Sequence, residues 1–130
     1  MTAPFRHEIR VRYAEVDMQR HVFNAHYLTY VDEAFDAFCR SALGEDYYDS
    51  GAIDMVLKRA DVTWHDGAGF GDVLVVDVAA RRWGTTSFDI GFEGSVDERP
   101  VFSAVVTYVS VTPGTTQPLP VPEAVRSALS

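Results

Sequence analysis

The sequence predicts an α+β domain with one long helix and an antiparallel sheet, in the order β-α-β-β-β-β. Three patterns carry the prediction. Residues 25–43 repeat apolar side chains at spacings of three and four, the period of an amphipathic helix. The segments around it alternate with period two, as half-buried strands do. Four such segments follow the helix with only short turns between them, a connection open to antiparallel but not to parallel neighbours.

The first strand runs from Phe5 to Tyr13, with Phe5, His7, Ile9, Val11 and Tyr13 on its apolar face. Residues 14–23 keep no period. The helix covers Ala25 to Leu43, about five turns, with Tyr27, Leu28, Val31, Ala34, Phe35, Phe38 and Ala42 facing inward. Asn24 suits its N-cap and Gly44 its C-terminal exit. Ile53 to His65 is a strand whose alternation slips between Met55/Leu57 and Ala60/Val62/Trp64, so a bulge is expected at Lys58 or Arg59. Gly67 to Asp72 is a turn, and Val73 to Arg82 is a strand that reverses at Trp83-Gly84. Thr86, Phe88, Ile90 and Phe92 alternate on the next strand. After a polar loop ending at Arg99-Pro100, Val101 to Val111 forms the last one. Pro122 opens a short helix through Leu129. Phe23, Tyr27, Tyr30, Phe35 and Phe38 give the long helix too wide an apolar surface to stay half exposed, so the sheet should wrap it. The free sheet edges should pair with a second copy.

The 130 residues suit one domain, 1–130, and 47% apolar with 23% charged residues gives both a core and a solvated surface. A net charge of −8 opposes coating of nucleic-acid phosphates. The single cysteine, Cys39, forms no internal disulfide, and its place beside the Phe35/Phe38 stripe reads as core. No secretory leader or membrane span is evident, so a soluble cytoplasmic protein is expected. No metal-ligand spacing is complete: Asp17 and His21 stand four apart, but no Cys or Glu continues the set. Gly67 to Gly71 lies between two strands rather than opening a helix, which argues against a dinucleotide cofactor.

The segment Val11-Arg12-Tyr13-Ala14-Glu15-Val16-Asp17-Met18-Gln19-Arg20-His21-Val22-Phe23-Asn24-Ala25-His26-Tyr27-Leu28-Thr29-Tyr30-Val31-Asp32-Glu33-Ala34 resembles the signature of hotdog-fold acyl-CoA thioesterases of the 4-hydroxybenzoyl-CoA thioesterase family. Asp17, His21-Val22, Asn24 and Tyr27 carry it most specifically, and the element order extends it over most of the chain. The resemblance implies a five-stranded sheet around the central helix and a homodimer or homotetramer. It also implies hydrolysis of an acyl-CoA or related thioester. Asp17 would be its nucleophile or general base, and the backbone N–H of Asn24 would polarise the carbonyl. That last role has a physical basis, because early N–H groups of a helix lack internal partners and lie at the positive end of its dipole. Arg20 departs from the pattern, which has Gly there, and a salt bridge from Arg20 to Asp17 is one expected result.

Each role has a plainer alternative. An Asp between strand and helix is most often a turn or capping residue. His21 either orients Asp17 or the thioester, or is a hydrogen-bonded loop residue. His7 and His65 read as structural, and Asp32-Glu33 as a solvent-facing pair, with Glu33 able to line a partner's cleft. Tyr13, Phe23 and Tyr27 are expected along the acyl tunnel. Arg59 and Arg82 are expected to meet coenzyme A phosphates, one from each of the pairs Lys58-Arg59 and Arg81-Arg82, since adjacent strand residues face opposite ways. Trp64 and Trp83 either stack on a ring of the substrate or pack the core. Two other activities share this fold: hydroxyacyl-thioester dehydration or hydration, and non-catalytic binding of acyl thioesters.

Overall fold

The computed structural model describes residues 3–130. Its elements are β1 (Phe5–Arg10), a 3₁₀ turn (Tyr13–Glu15), α1 (His26–Leu43), β2 (Asp54–Trp64), β3 (Val73–Trp83), β4 (Ser87–Val96), β5 (Arg99–Val111) and α2 (Glu123–Leu129). All strand pairs are antiparallel, and the sheet order β1-β3-β4-β5-β2 leaves β1 and β2 at the edges.

The sheet buries one face against α1. Leu74, Val76 and Val78 of β3, Phe88, Ile90 and Phe92 of β4, and Phe102, Val106 and Tyr108 of β5 all point inward and are buried. From the helix, Tyr27, Tyr30, Val31, Ala34, Phe35 and Cys39 meet them. Phe35 stacks on Tyr108 with centroids 4.5 Å apart, and Tyr27 meets Phe102 edge-on at 5.3 Å. Aromatic pairs at such distances add to the area they bury. The C-terminal α2 closes the β3–β4 end, where Arg126 donates to the Gly84 carbonyl and lies 5.8 Å over the Trp83 ring.

Bulges set which side chains share a face. In β2 the register with β5 shifts between Leu57 and Arg59, so Met55, Leu57, Ala60, Val62 and Trp64 all lie on the helix side. A second shift, between Ala80 and Arg82, pairs Arg82 with Asp89. The β4–β5 turn is only Asp97-Glu98, both at positive φ (49° and 66°), as a two-residue hairpin requires, and β5 already begins at Arg99.

Three expectations are corrected. The first strand stops at Arg10, because the chain leaves β3 and turns at Tyr13; Val11 stays buried, but Tyr13 is 82% exposed. Asn24 does not cap α1: the cap position is Ala25, itself in helical geometry, and no side chain among the described residues caps this end. Leu28, expected inside, is 42% exposed, because its side of α1 overhangs the β2 edge of the sheet.

Candidate active site

Val16 pairs with Val22 to close a tight hairpin that carries Asp17. Within it the Arg20 N–H donates to the Asp17 carbonyl at 3.0 Å and the Asp17 N–H to the His21 carbonyl at 2.9 Å. That geometry needs a left-handed residue at position 20, and Arg20 has φ of 65°. The glycine of the family pattern meets this demand without a Cβ. The expected Arg20–Asp17 salt bridge does not form; the Asp17 carboxylate instead accepts the Gln19 N–H at 2.9 Å, and it is exposed.

His21 pairs its backbone with Gly69, and its ring lies against Gly67, where an added Cβ would stand 3.0 Å away. Phe23 is exposed, with its ring edge-on to His26 at 6.0 Å. Tyr27 is buried, and its hydroxyl accepts the Ala68 N–H at 3.3 Å, fastening the Gly67–Gly71 loop to α1. Burial pushes its phenol pKa up, while the Ala68 bond acts the other way. Tyr13 pairs edge-on with Phe70 at 6.1 Å on the surface beside the hairpin.

Immediately after Phe23, the N–H groups of Asn24 and Ala25 donate to no group among the described residues; the first bonded donors are His26 to Phe23, Tyr27 to Asn24 and Leu28 to Ala25. Asn24 and Ala25 stand at one end of a groove of about 400 Å³ whose other walls are Leu28, Ala60, Val62 and Trp64. Further along the same helix face, a second depression of about 270 Å³ lies between α1 and β2 and includes Asp32, Asp36, Met55, Leu57 and Tyr108. The two separate depressions follow the seam between α1 and β2, the trough, and carboxylates line only the second. Asp32 is exposed, as expected, although desolvation on the side facing this depression pushes its carboxyl up, opposed by the Tyr108 hydroxyl at 3.4 Å. Asp17 does not line this trough in a single chain.

Arg59 and Arg82 come together elsewhere. Arg59 pairs with Thr107, Thr107 with Asp89 and Asp89 with Arg82, so one row crosses the sheet on the face opposite α1. Arg82 binds Asp89 through two nitrogens at 3.0 and 3.3 Å, which holds that carboxyl below its usual range. Arg59 lies 3.8 Å from Asp61. A cavity of about 750 Å³ sits at the other edge, between Phe5, Phe38, Ala80 and Leu129, and holds none of the predicted site residues. Burial pushes the Cys39 thiol up to about 12, which leaves it un-ionised at neutral pH.

One buried carboxylate beside the hairpin escaped the sequence reading. Glu15 is buried, and its carboxylate accepts the Arg12 N–H and the Tyr30 hydroxyl, both at 2.8 Å. The Arg12-x-x-Glu15 spacing, that of a capping box, was the available signal. Among the described residues, no cluster of three or more His, Cys, Asp or Glu is arranged to hold a metal ion, and no helix is long and apolar enough to cross a membrane.

No curated protein matches the sequence significantly. Solved structures resemble the fold closely. A hypothetical protein from Aquifex aeolicus superposes with a TM-score of 0.89 at 23% identity, covering 98% of this chain and 100% of that one. A 1,4-dihydroxy-2-naphthoyl-CoA thioesterase from Synechocystis gives 0.83 at 21%, covering 96% and 94%. A Staphylococcus aureus protein solved in complex with CoA gives 0.85 at 16%, covering 98% and 83%. These likenesses establish the hotdog architecture. Residues 11–129, which include the Asp17 hairpin, the open helix start and the trough, match the family model of the thioesterase-like superfamily, and the chain belongs to that superfamily.

Proposed function

We propose that this protein hydrolyses an acyl-CoA or related acyl thioester to a free acid and a thiol. The observation that carries the reading is the open start of α1: two backbone N–H groups, Asn24 and Ala25, without acceptors among the described residues and beside an apolar groove. A thioester carbonyl placed there accepts a hydrogen bond from the Asn24 N–H, and the same donor is stronger toward the oxyanion that develops during attack. The acyl group then lies against Leu28, Val62 and Trp64. Asp17 supplies the attack, either directly on the carbonyl, giving an anhydride that water opens, or by taking a proton from the attacking water. In both routes the C–S bond breaks and the thiolate leaves.

Membership in the thioesterase-like superfamily supports this chemistry. The Synechocystis thioesterase and the CoA complex of the Staphylococcus aureus protein, as similar folds, fit coenzyme A as the thiol. The Asp17-to-Tyr27 pattern favours the 4-hydroxybenzoyl-CoA branch within the superfamily. His21 steadies the hairpin against Gly67, Tyr13 and Phe23 offer exposed rings to the substrate, and Tyr27 holds the loop behind it. Arg59 and Arg82 are the candidate phosphate contacts; Arg59 is the freer of the two, since Arg82 already binds Asp89. A cytoplasmic setting suits the lone un-ionised cysteine.

The site is completed by a second copy. Among the described residues the outer edge of β2 has no strand partner; β2 exposes Val56, Leu57 and Trp64, while Leu28 is open on the adjoining face of α1. A homodimer joined along this edge covers the trough and brings a second hairpin to it, and a homotetramer pairs two such dimers. The dehydratase alternative needs a histidine facing an acid on the helix. His7 and Glu33 approach to 4.0 Å, but on the β1 side of α1, away from the trough.

The test is thiol release from a panel of aryl- and alkyl-CoAs by the parent and Asp17→Asn. Parent turnover with loss of at least about a hundredfold in the variant supports the assignment, the size expected when an activated nucleophile or base is removed. Parent-like rates in Asp17→Asn refute it, an enoyl product shows dehydration, and binding without turnover shows a binding module.

A further inference from the structure

Glu15 is the only buried carboxylate among the described residues, 6% exposed. So enclosed a charge persists only with its oxygens satisfied. One oxygen accepts the Arg12 backbone N–H and the Tyr30 hydroxyl, each at 2.8 Å, and the other accepts the Arg12 guanidinium at 2.9 and 3.2 Å. Burial raises the carboxyl pKa, but these bonds outweigh it and hold the group below its usual range. Arg12 belongs to the stretch leaving β1, and Tyr30 is buried on α1. The side chain of Glu15 therefore ties the end of the first strand to the helix.

Its backbone makes the second tie. The Glu15 carbonyl accepts the Phe23 N–H at 2.9 Å, and the next residue, Val16, pairs with Val22. Asp17 lies two residues beyond Glu15, and Asn24 follows Phe23. Both ends of the Asp17 hairpin are thus joined at one residue, whose side chain is bolted to the helix bearing the open N–H groups. Around the loop Met18, Gln19, Arg20 and His21 are exposed, and besides the Glu15 ties the hairpin is held by the Val22 N–H bond to the Ala68 carbonyl and the His21–Gly69 pairing.

We infer that Glu15 is a positioning residue: through Tyr30 and Phe23 it fixes the Asp17 carboxylate relative to the Asn24 N–H. The inference rests on the thioesterase reading above, and its geometric content is testable without turnover. Misplacement of a reacting group by about 1 Å costs on the order of a hundredfold in rate, so a loosened hairpin lowers kcat more than substrate binding.

The main variant is Tyr30→Phe, which removes one hydroxyl and keeps the buried ring. Glu15→Ala removes the whole link. Glu15→Gln keeps one carbonyl oxygen for Tyr30 and Arg12, and turns its amide toward the exposed guanidinium. With benzoyl-CoA and hexanoyl-CoA, Tyr30→Phe and Glu15→Ala are expected to lose about 10- to 100-fold in kcat with KM within about threefold, and Glu15→Gln to recover most of that loss. Amide exchange followed by NMR gives the second measurement: the Phe23 N–H exchanges at least about tenfold faster in Tyr30→Phe, while Val31 and Ala34 of the helix keep their protection. Unchanged Phe23 exchange in Tyr30→Phe overturns the inference. So does a kcat loss no larger than the loss of folded protein, or an equal fall in all three variants. If the parent turns over no acyl-CoA yet Phe23 exchange rises as expected, the positioning link stands and the thioesterase reading alone fails. Should Glu15→Ala not fold, Tyr30→Phe decides the matter.

Discussion

Replacing Arg20 with glycine should make the protein more stable. Arg20 sits at φ of 65°, where an L-residue brings its Cβ against the backbone at a cost of roughly 1–2 kcal/mol. Its side chain makes no ion pair or hydrogen bond among the described residues, so removing it forfeits nothing specific. Glycine gives back part of the gain because its unfolded chain is freer, by roughly 0.5–1 kcal/mol. The net expectation for Arg20→Gly is about 0.5–1 kcal/mol of added stability. With an unfolding entropy of about 2.1 cal/mol/K per residue, a chain of 130 residues has about 0.27 kcal/mol/K in all, so Tm rises by about 2–4 °C. Urea unfolding followed by circular dichroism measures the change at constant m-value. Arg20→Ala is the control, since alanine keeps the Cβ and should gain nothing, and Arg20→Asn should fall between. A stabilised Arg20→Ala equal to Arg20→Gly, or a destabilised Arg20→Gly, would refute the argument from backbone geometry.

Three further outcomes follow from other parts of the fold. A Cβ at Gly94 would lie 2.2 Å from the buried Phe102 ring, so Gly94→Ala should cost about 1–3 kcal/mol in urea unfolding; a neutral result would mean that Phe102 shifts freely. Leu57→Glu, on the open β2 edge, should shift the sedimentation profile toward monomer and lower hydrolysis in parallel; a fully active parent monomer would refute the two-chain site. Glu15, Asp36 and Asp89 carry carboxyls held below their usual range, so the unfolded chain binds protons first as pH falls. Their stabilisation is present above about pH 5 and fades through pH 4–3, with a contribution of opposite sign from Asp32, whose carboxyl is raised. Urea midpoints that climb between pH 5 and pH 3 would contradict that sign.

The sequence made most of the sheet and the helix legible because period and burial agree there. Even the bulge in β2 showed, as a slip in alternation between Leu57 and Ala60, and Cys39 lies in the core as its stripe required. What stayed hidden depended on contacts between distant residues. Tyr13 continues the alternation of β1 perfectly, yet the chain leaves the sheet before it, drawn into the turn that Glu15 closes with Arg12 and Tyr30. Asn24 has the chemistry of a cap, but the Phe23 N–H is held by the Glu15 carbonyl and the helix begins two residues later. Arg59 and Arg82 belong to pairs whose outward member alternation alone could not choose; a bulge beside each set the choice and brought both to Asp89. For the site, the sequence located the hairpin and the helix start, while the trough between α1 and β2 emerges only when the chain is folded.

The surplus residue in β2 also separates two halves of one wall. Asp54–Leu57 and Arg59–Trp64 each keep their own alternation, joined at Lys58 as at a slipped gear tooth. Deleting Lys58 would remove the bulge and its local twist while Leu57 stays opposite Tyr108 and Arg59 opposite Thr107, so Met55, Leu57, Ala60, Val62 and Trp64 would keep their side. Losing a residue at that point therefore acts on the bend of the wall, whereas substitutions at Ala60, Val62 or Trp64 act on what the wall presents.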